Sequence, residues 1–118
     1  MPDTALNQRS GSAPTGFIHC VYFWLRDGGT AEDARAIADG IHQHLTGIPG
    51  ILRLAVGRPA GTPRDVVDNS FAVSLLLEFA DRGAHDAYQE HPDHQAFIAQ
   101  RGQHWARVQV YDALLGPA

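Results

Sequence analysis

Residues 17–25, FIHCVYFWL, are apolar on both sides of an extended strand. Side chains alternate across a strand with a period of two. One side therefore carries Phe17, His19, Val21, Phe23 and Leu25, and the other Ile18, Cys20, Tyr22 and Trp24. Neither set suits a face left in water, so both must be covered. The chain's own helices can cover one side. The other needs a second source of apolar surface.

The remaining elements follow from punctuation and periodicity. Asp27-Gly28-Gly29 ends the strand, and Thr30 reads as a helix N-cap with Glu32 and Asp33 in the first turn. Ala34, Ile37, Ile41, Leu45 and Ile48 recur at helical spacing until Gly47 and Pro49-Gly50 stop the helix. A second strand is expected over Ile51–Gly57, with Leu52, Leu54 and Val56 on one face. A loop covers 58–69. A third strand runs over Phe71–Phe79, with Phe71, Val73, Leu75, Leu77 and Phe79 on one face. Asp81 caps a short helix through Tyr88, a helical piece holds Phe97 and Ile98, and Trp105–Asp112 reads as the last strand. The order β-α-β, β-α-β gives an α+β fold, the ferredoxin-like split βαβ sandwich with a four-stranded antiparallel sheet and helices on one face. Ile18, Cys20, Tyr22 and Trp24 would then lie on the bare face. The simplest cover is a second copy, making a two-fold homodimer through the sheet face.

With 118 residues and 44% hydrophobic content, the chain fits one domain with a modest core. The formal charge of −4 argues against a nucleic-acid partner. Cys20 is the single cysteine and lies in an apolar run, which favours an inert thiol in a cytoplasmic protein. No apolar run is long enough to span a bilayer. Residues 1–16 lack the apolar middle of a signal peptide and read as a flexible tail.

Chemistry concentrates in Tyr88-Gln89-Glu90-His91-Pro92-Asp93-His94-Gln95-Ala96-Phe97. Proline fixes φ and donates no hydrogen bond, so one helix ends near Glu90 and Pro92 opens the next. His91, before the proline, is pushed toward extended geometry. A phenol beside an imidazole suits holding and deprotonating a small acidic carbon or phenol. The same residues also fit a structural role: His91 and His94 capping helix ends, Tyr88 filling the core, and His19 bonded to a backbone carbonyl. His42 and His44 read as solvated and His104 as local. For a metal, His91 and His94 are three apart with His85, Glu90 and Asp93 near, but Pro92 interrupts any shared helical face. No metal and no cofactor is expected.

His19 in the first strand, Ile48-Pro49-Gly50, Val56-Gly57-Arg58, Ser74–Phe79, the Tyr-x-x-His-Pro-x-His-x-x-Phe block and Val110-Tyr111-Asp112 together resemble the stress-responsive A/B barrel (Dabb) family. The resemblance spans residues 17–114 and implies a dimeric α/β barrel. Most members have no assigned activity. A plant polyketide cyclase of this fold closes a linear tetraketide by aldol condensation without a metal, and its tyrosine and histidines match Tyr88, His94 and His19. Where it has a histidine near the third strand's start this chain has Val73, and its tyrosine on the first helix has no counterpart. The resemblance thus implies a small carbonyl-bearing or aromatic ligand. His94 would be the base of a cyclase or isomerase, Tyr88 its partner and His19 an orienting group, with His91, Phe23, Val73 and Phe97 as the pocket wall. The alternatives are a non-catalytic stress-response dimer with a filled interior and a cofactor-free monooxygenase.

Overall fold

In the computed structural model, which describes residues 16–116, β1 (Phe17–Leu25) is followed by α1 (Ala31–Leu45), β2 (Ile51–Gly57) and β3 (Val73–Phe79). Then come α2 (Arg82–Glu90), α3 (Pro92–Arg101), a short 3₁₀ turn (Gly102–His104) and β4 (Trp105–Leu114). Apart from Gly16, the expected tail lies outside the described residues. The strands form one antiparallel sheet in the order β2-β3-β1-β4, the ferredoxin-like arrangement. Among the described residues no helix is long and apolar enough to cross a membrane.

The core lies between the helices and one sheet face. Ile37, Ile41 and Leu45 of α1 meet Val21 and Phe23 of β1 and Leu75, Leu77 and Phe79 of β3. On the opposite face Ile18, Cys20, Tyr22 and Trp24 are only half-buried. Pairing puts Ala55, Leu76, Cys20 and Tyr111 in one row across that face. Tyr111 remains 64% exposed, a large aromatic surface without cover from its own chain.

Two expected faces need correction. Ile51 pairs with Phe79 and Arg53 with Glu78, so Leu52 is the extra residue of a β-bulge. The bulge sends Ile51 to the core with Leu54 and Val56 and leaves Leu52 exposed. Phe71 precedes β3 and packs edge-on against Tyr22 and Trp24, on the bare face rather than with Val73. The loop that carries it is anchored by the Trp24 indole N–H donating to Ser70 Oγ at 2.9 Å.

α1 begins as its sequence directs. The Thr30 side chain accepts from Glu32 N, and Asp33 Oδ2 accepts from Thr30 N at 2.8 Å. Asp33 is buried and also accepts from Arg26 Nε at 2.9 Å and from His104 Nδ1 at 2.8 Å. His104 is therefore not local: it ties the entry of β4 to the start of α1. Hydrogen bonds from Arg26, then from His104 and the Thr30 backbone, hold the Asp33 carboxyl well below the usual carboxylate range. A depressed folded value means this contribution is complete above roughly pH 5 and is lost as acid titrates the folded carboxylate. Asp33→Ala leaves the Thr30 cap but removes the reciprocal half of the capping box and deprives the Thr30 N–H, Arg26 Nε and His104 Nδ1 of their acceptor, so thermal melts at pH 7 should show Tm lower by roughly 5–10 °C. The gap between variant and parent should narrow at pH 3; a constant gap would exclude the charged carboxylate as its source.

Candidate functional site

Alternation along β1 directs His19, Val21 and Phe23 toward the helix layer. Val108, Val110 and Asp112 of β4 pair with Phe23, Val21 and His19 and share that side. A second bulge adds to the wall. Trp24 pairs with Arg107 but Leu25 pairs with Trp105, so Ala106 is skipped. Trp105 is thereby turned from the bare face to the helix side, where its ring meets Phe23 at 5.0 Å and Phe97 at 5.4 Å between centroids.

The helix junction completes the enclosure. His91 is extended (φ −67°, ψ 139°), ends α2 and caps α3, its Nδ1 accepting from Asp93 N at 3.0 Å. Pro92 opens α3, and the bend brings His94, Phe97 and Ile98 over the sheet beside Tyr88. Between them lies a half-open cavity of about 340 Å³, walled chiefly by apolar side chains of β1, β4 and α3, with Leu75, Tyr88 and Gln89.

Three polar rings face this apolar space. The Tyr88 ring lies 4.7 Å from His94 and 5.7 Å from His19 between centroids. Burial raises the Tyr88 phenol well above its ordinary value, which keeps it protonated and a hydrogen-bond donor. Burial lowers His94, opposed by the Gln89 backbone and aided by His19 and His85. His94 is therefore neutral at pH 7, and its Nδ1 is buried without a hydrogen-bond partner. His19 is also lowered by burial, against the pull of its bond to Asp112, with His85 adding to the lowering. Its Nδ1 lies 2.6 Å from Asp112 Oδ1, which assigns the proton to Nδ1 and leaves Nε2 bare. A donor, a bare imidazole nitrogen and a second oriented imidazole in apolar surroundings can polarise a carbonyl and accept a proton from the adjacent carbon.

Of the residues expected at the site, His19, Tyr88, His94, Phe23 and Phe97 line the cavity. His91 is spent on capping and Val73 is packed in the core; neither is part of the wall. Asp112 is not among the expected site residues, and His85 figures only as a neighbour of the His91–His94 pair. Asp112 alternates with Val108 and Val110, and only the β1–β4 register reveals that it meets His19. His85 stacks on Phe17 at 4.3 Å, a contact no spacing announces. His44, expected in solvent, is half-buried with an unpartnered Nε2.

The family model described as the stress responsive A/B barrel domain matches residues 17–114. Among solved structures, a Dabb family protein with a ferredoxin-like fold from Mesorhizobium loti is 26% identical, covering 83% of this chain and 94% of its own, with a TM-score of 0.65. A dimeric ferredoxin-like protein of unknown function from Thermobifida fusca is 19% identical over 92% of this chain and 100% of its own, at a TM-score of 0.71. A hydroxynitrile lyase from Passiflora edulis is 11% identical over 89% of this chain and 97% of its own, at 0.74. No curated protein matches the sequence.

Proposed function

The chain belongs to the stress-responsive A/B barrel domain family, and we propose that it works as a homodimer that binds a small carbonyl-bearing or aromatic molecule beside His94 and Tyr88. In this reading His94 is a general base, Tyr88 polarises the ligand's oxygen and His19 orients the bound molecule. The reaction class is enolisation leading to cyclisation or isomerisation.

The observation that carries the reading is the convergence of the His94, Tyr88 and His19 rings on the wall of one ligand-sized, mostly apolar cavity. A non-catalytic dimer with a filled interior fits that cavity poorly. The direct test is an NMR titration of the protein with acetylacetone, a 4-alkylphenol and mandelonitrile. The last is included because a protein of this fold is named for hydroxynitrile cleavage. Resonances of His94 and Tyr88 should move with at least one probe, and silence from both rings for all three would remove the pocket from consideration. Oxygen uptake with the phenol would instead favour a cofactor-free monooxygenase.

Dimerisation is supported by the half-buried face and by the dimeric relative. Leu76 lies in the row Ala55–Leu76–Cys20–Tyr111. Leu76→Arg would place an unpaired charge at the centre of a sheet-to-sheet interface, at a cost of several kcal/mol. Sedimentation should show a dimer for the parent and a monomer for the variant. A monomeric parent, or a variant that stays dimeric, would rule out this face.

A further inference from the structure

We propose that His19, His85 and Asp112 form a binding site for one divalent first-row transition ion of the zinc type. The three donors come from β1, α2 and β4, so no sequence motif joins them, yet one ligand atom of each lies within 4.8 Å of the others. Both imidazoles are buried. The Asp112 carboxylate faces both, with Oδ1 2.6 Å from His19 Nδ1 and Oδ2 3.9 Å from His85 Nε2.

A simple ion pair with Asp112 accounts for His19 but not for the setting of His85. The His85 Nδ1 lies 3.1 Å from Asp86 Oδ1, and its Nε2 lies 3.3 Å from the Gln89 amide nitrogen. The Nδ1–H donates to the Asp86 carboxylate, which leaves the Nε2 lone pair as the acceptor of the Gln89 amide hydrogen bond; an ion bound beside Asp112 would take that lone pair and displace the amide. A histidine whose far nitrogen donates to a carboxylate is the arrangement that orients metal-binding imidazoles and raises their basicity. Phe17, stacked on the ring, fixes its plane.

Two imidazoles and one carboxylate, with a position left for water, suit zinc or its neighbours. Zinc bonds of about 2.0–2.2 Å set the donors roughly 3.3–3.5 Å apart. The 2.6 Å pair would open as the metal replaces its shared proton, and the 3.9 Å pair would close. A second hollow of about 360 Å³, lined by Phe17, Arg82, His85, Asp112 and Leu114, gives a path from solvent and room for the water. Arg82 is exposed, so its charge is screened from the approaching cation. Of the residues whose spacing suggests a metal, His91 and His94 with His85, Glu90 and Asp93 near, only His85 belongs to this set, and only His19 is shared with the ligand cavity.

The test is a calorimetric titration of metal-stripped full-length protein with Zn²⁺, followed by Co²⁺ with visible spectra. One ion per chain is expected. His85→Gln and Asp112→Asn should weaken binding at least 100-fold, and Asp86→Asn roughly 10–100-fold. His42→Ala and His91→Ala should leave affinity unchanged. Should a variant fail to fold, the parent protein suffices: paramagnetic Co²⁺ must broaden the His19 and His85 ring signals before any other histidine. Absence of stoichiometric binding, binding indifferent to His85 and Asp112, or first broadening at His42 or His91 would overturn the assignment. The experiment reads metal alone, so it stands or falls apart from the ligand cavity.

Discussion

Phe79→Ala is expected to cost about 3–5 kcal/mol, the usual range for emptying a fully buried phenylalanine site. Phe79 ends β3 and is 0% exposed. Its ring meets Phe17 edge-on at 6.3 Å, His85 at 5.6 Å and Tyr88 at 5.3 Å between centroids. It also pairs with Ile51 at the mouth of the β2 bulge and with Phe17 on β1. The hole would therefore open where three elements meet and none can slide in to fill it without breaking register. Against a total stability of about 5–15 kcal/mol, the loss is a large share. Chemical denaturation should show it as a lower midpoint at unchanged slope, with Tm down by more than about 12 °C. Phe79→Leu, which keeps most of the volume, should recover most of the difference. A loss under about 1 kcal/mol for the alanine variant would mean that the ring is not the keystone of this junction.

The fold was readable because local signals agreed with one another. Both faces of Phe17–Leu25 were apolar, Thr30 and Asp81 stood at N-caps, and Pro92 could only begin a helix. Alternation assumes unbroken pairing, so it misplaces Leu52, which the β2 bulge sends to solvent. The bulge at Ala106 likewise turns Trp105 into the cavity wall, a placement that strand periodicity does not announce. Phe71 was misassigned because the chain bends before β3 begins at Val73. Partners far apart in sequence were beyond reach for a different reason. The bonds His104–Asp33 and His19–Asp112 span 71 and 93 positions, and each depends on a register that no single strand encodes. Tyr88 and His94 were accessible because one proline junction, a local feature, brings them together.

His94→Ala should reduce proton transfer by about 10²–10⁴-fold, the range for removing a positioned general base. The measurable reaction is deuterium exchange at the central carbon of acetylacetone, an enolisation that needs a base and a carbonyl partner. Tyr88→Phe removes the donor and keeps the ring, and should cost roughly 10²-fold or more. The pH profile separates the roles by sign. Burial lowers His94, so it stays a neutral base below the ordinary histidine value of about 6.5, and the acid limb of kcat/KM must lie beneath that value. His19 is one of the groups that push His94 down, so His19→Ala should move the limb upward. Tyr88 is raised, so no alkaline limb from the phenol should intrude at mildly basic pH. The same shifts act on the fold. Unfolding returns His19 and His94 to ordinary values, the unfolded chain then binds more protons below about pH 6.5, and stability must fall as pH drops through that window. An acid limb above pH 7, or exchange untouched by His94→Ala, would assign the base elsewhere. Loss of exchange in His94→Ala together with a limb below 6.5 that rises in His19→Ala is a pattern that a merely structural histidine has no means to produce.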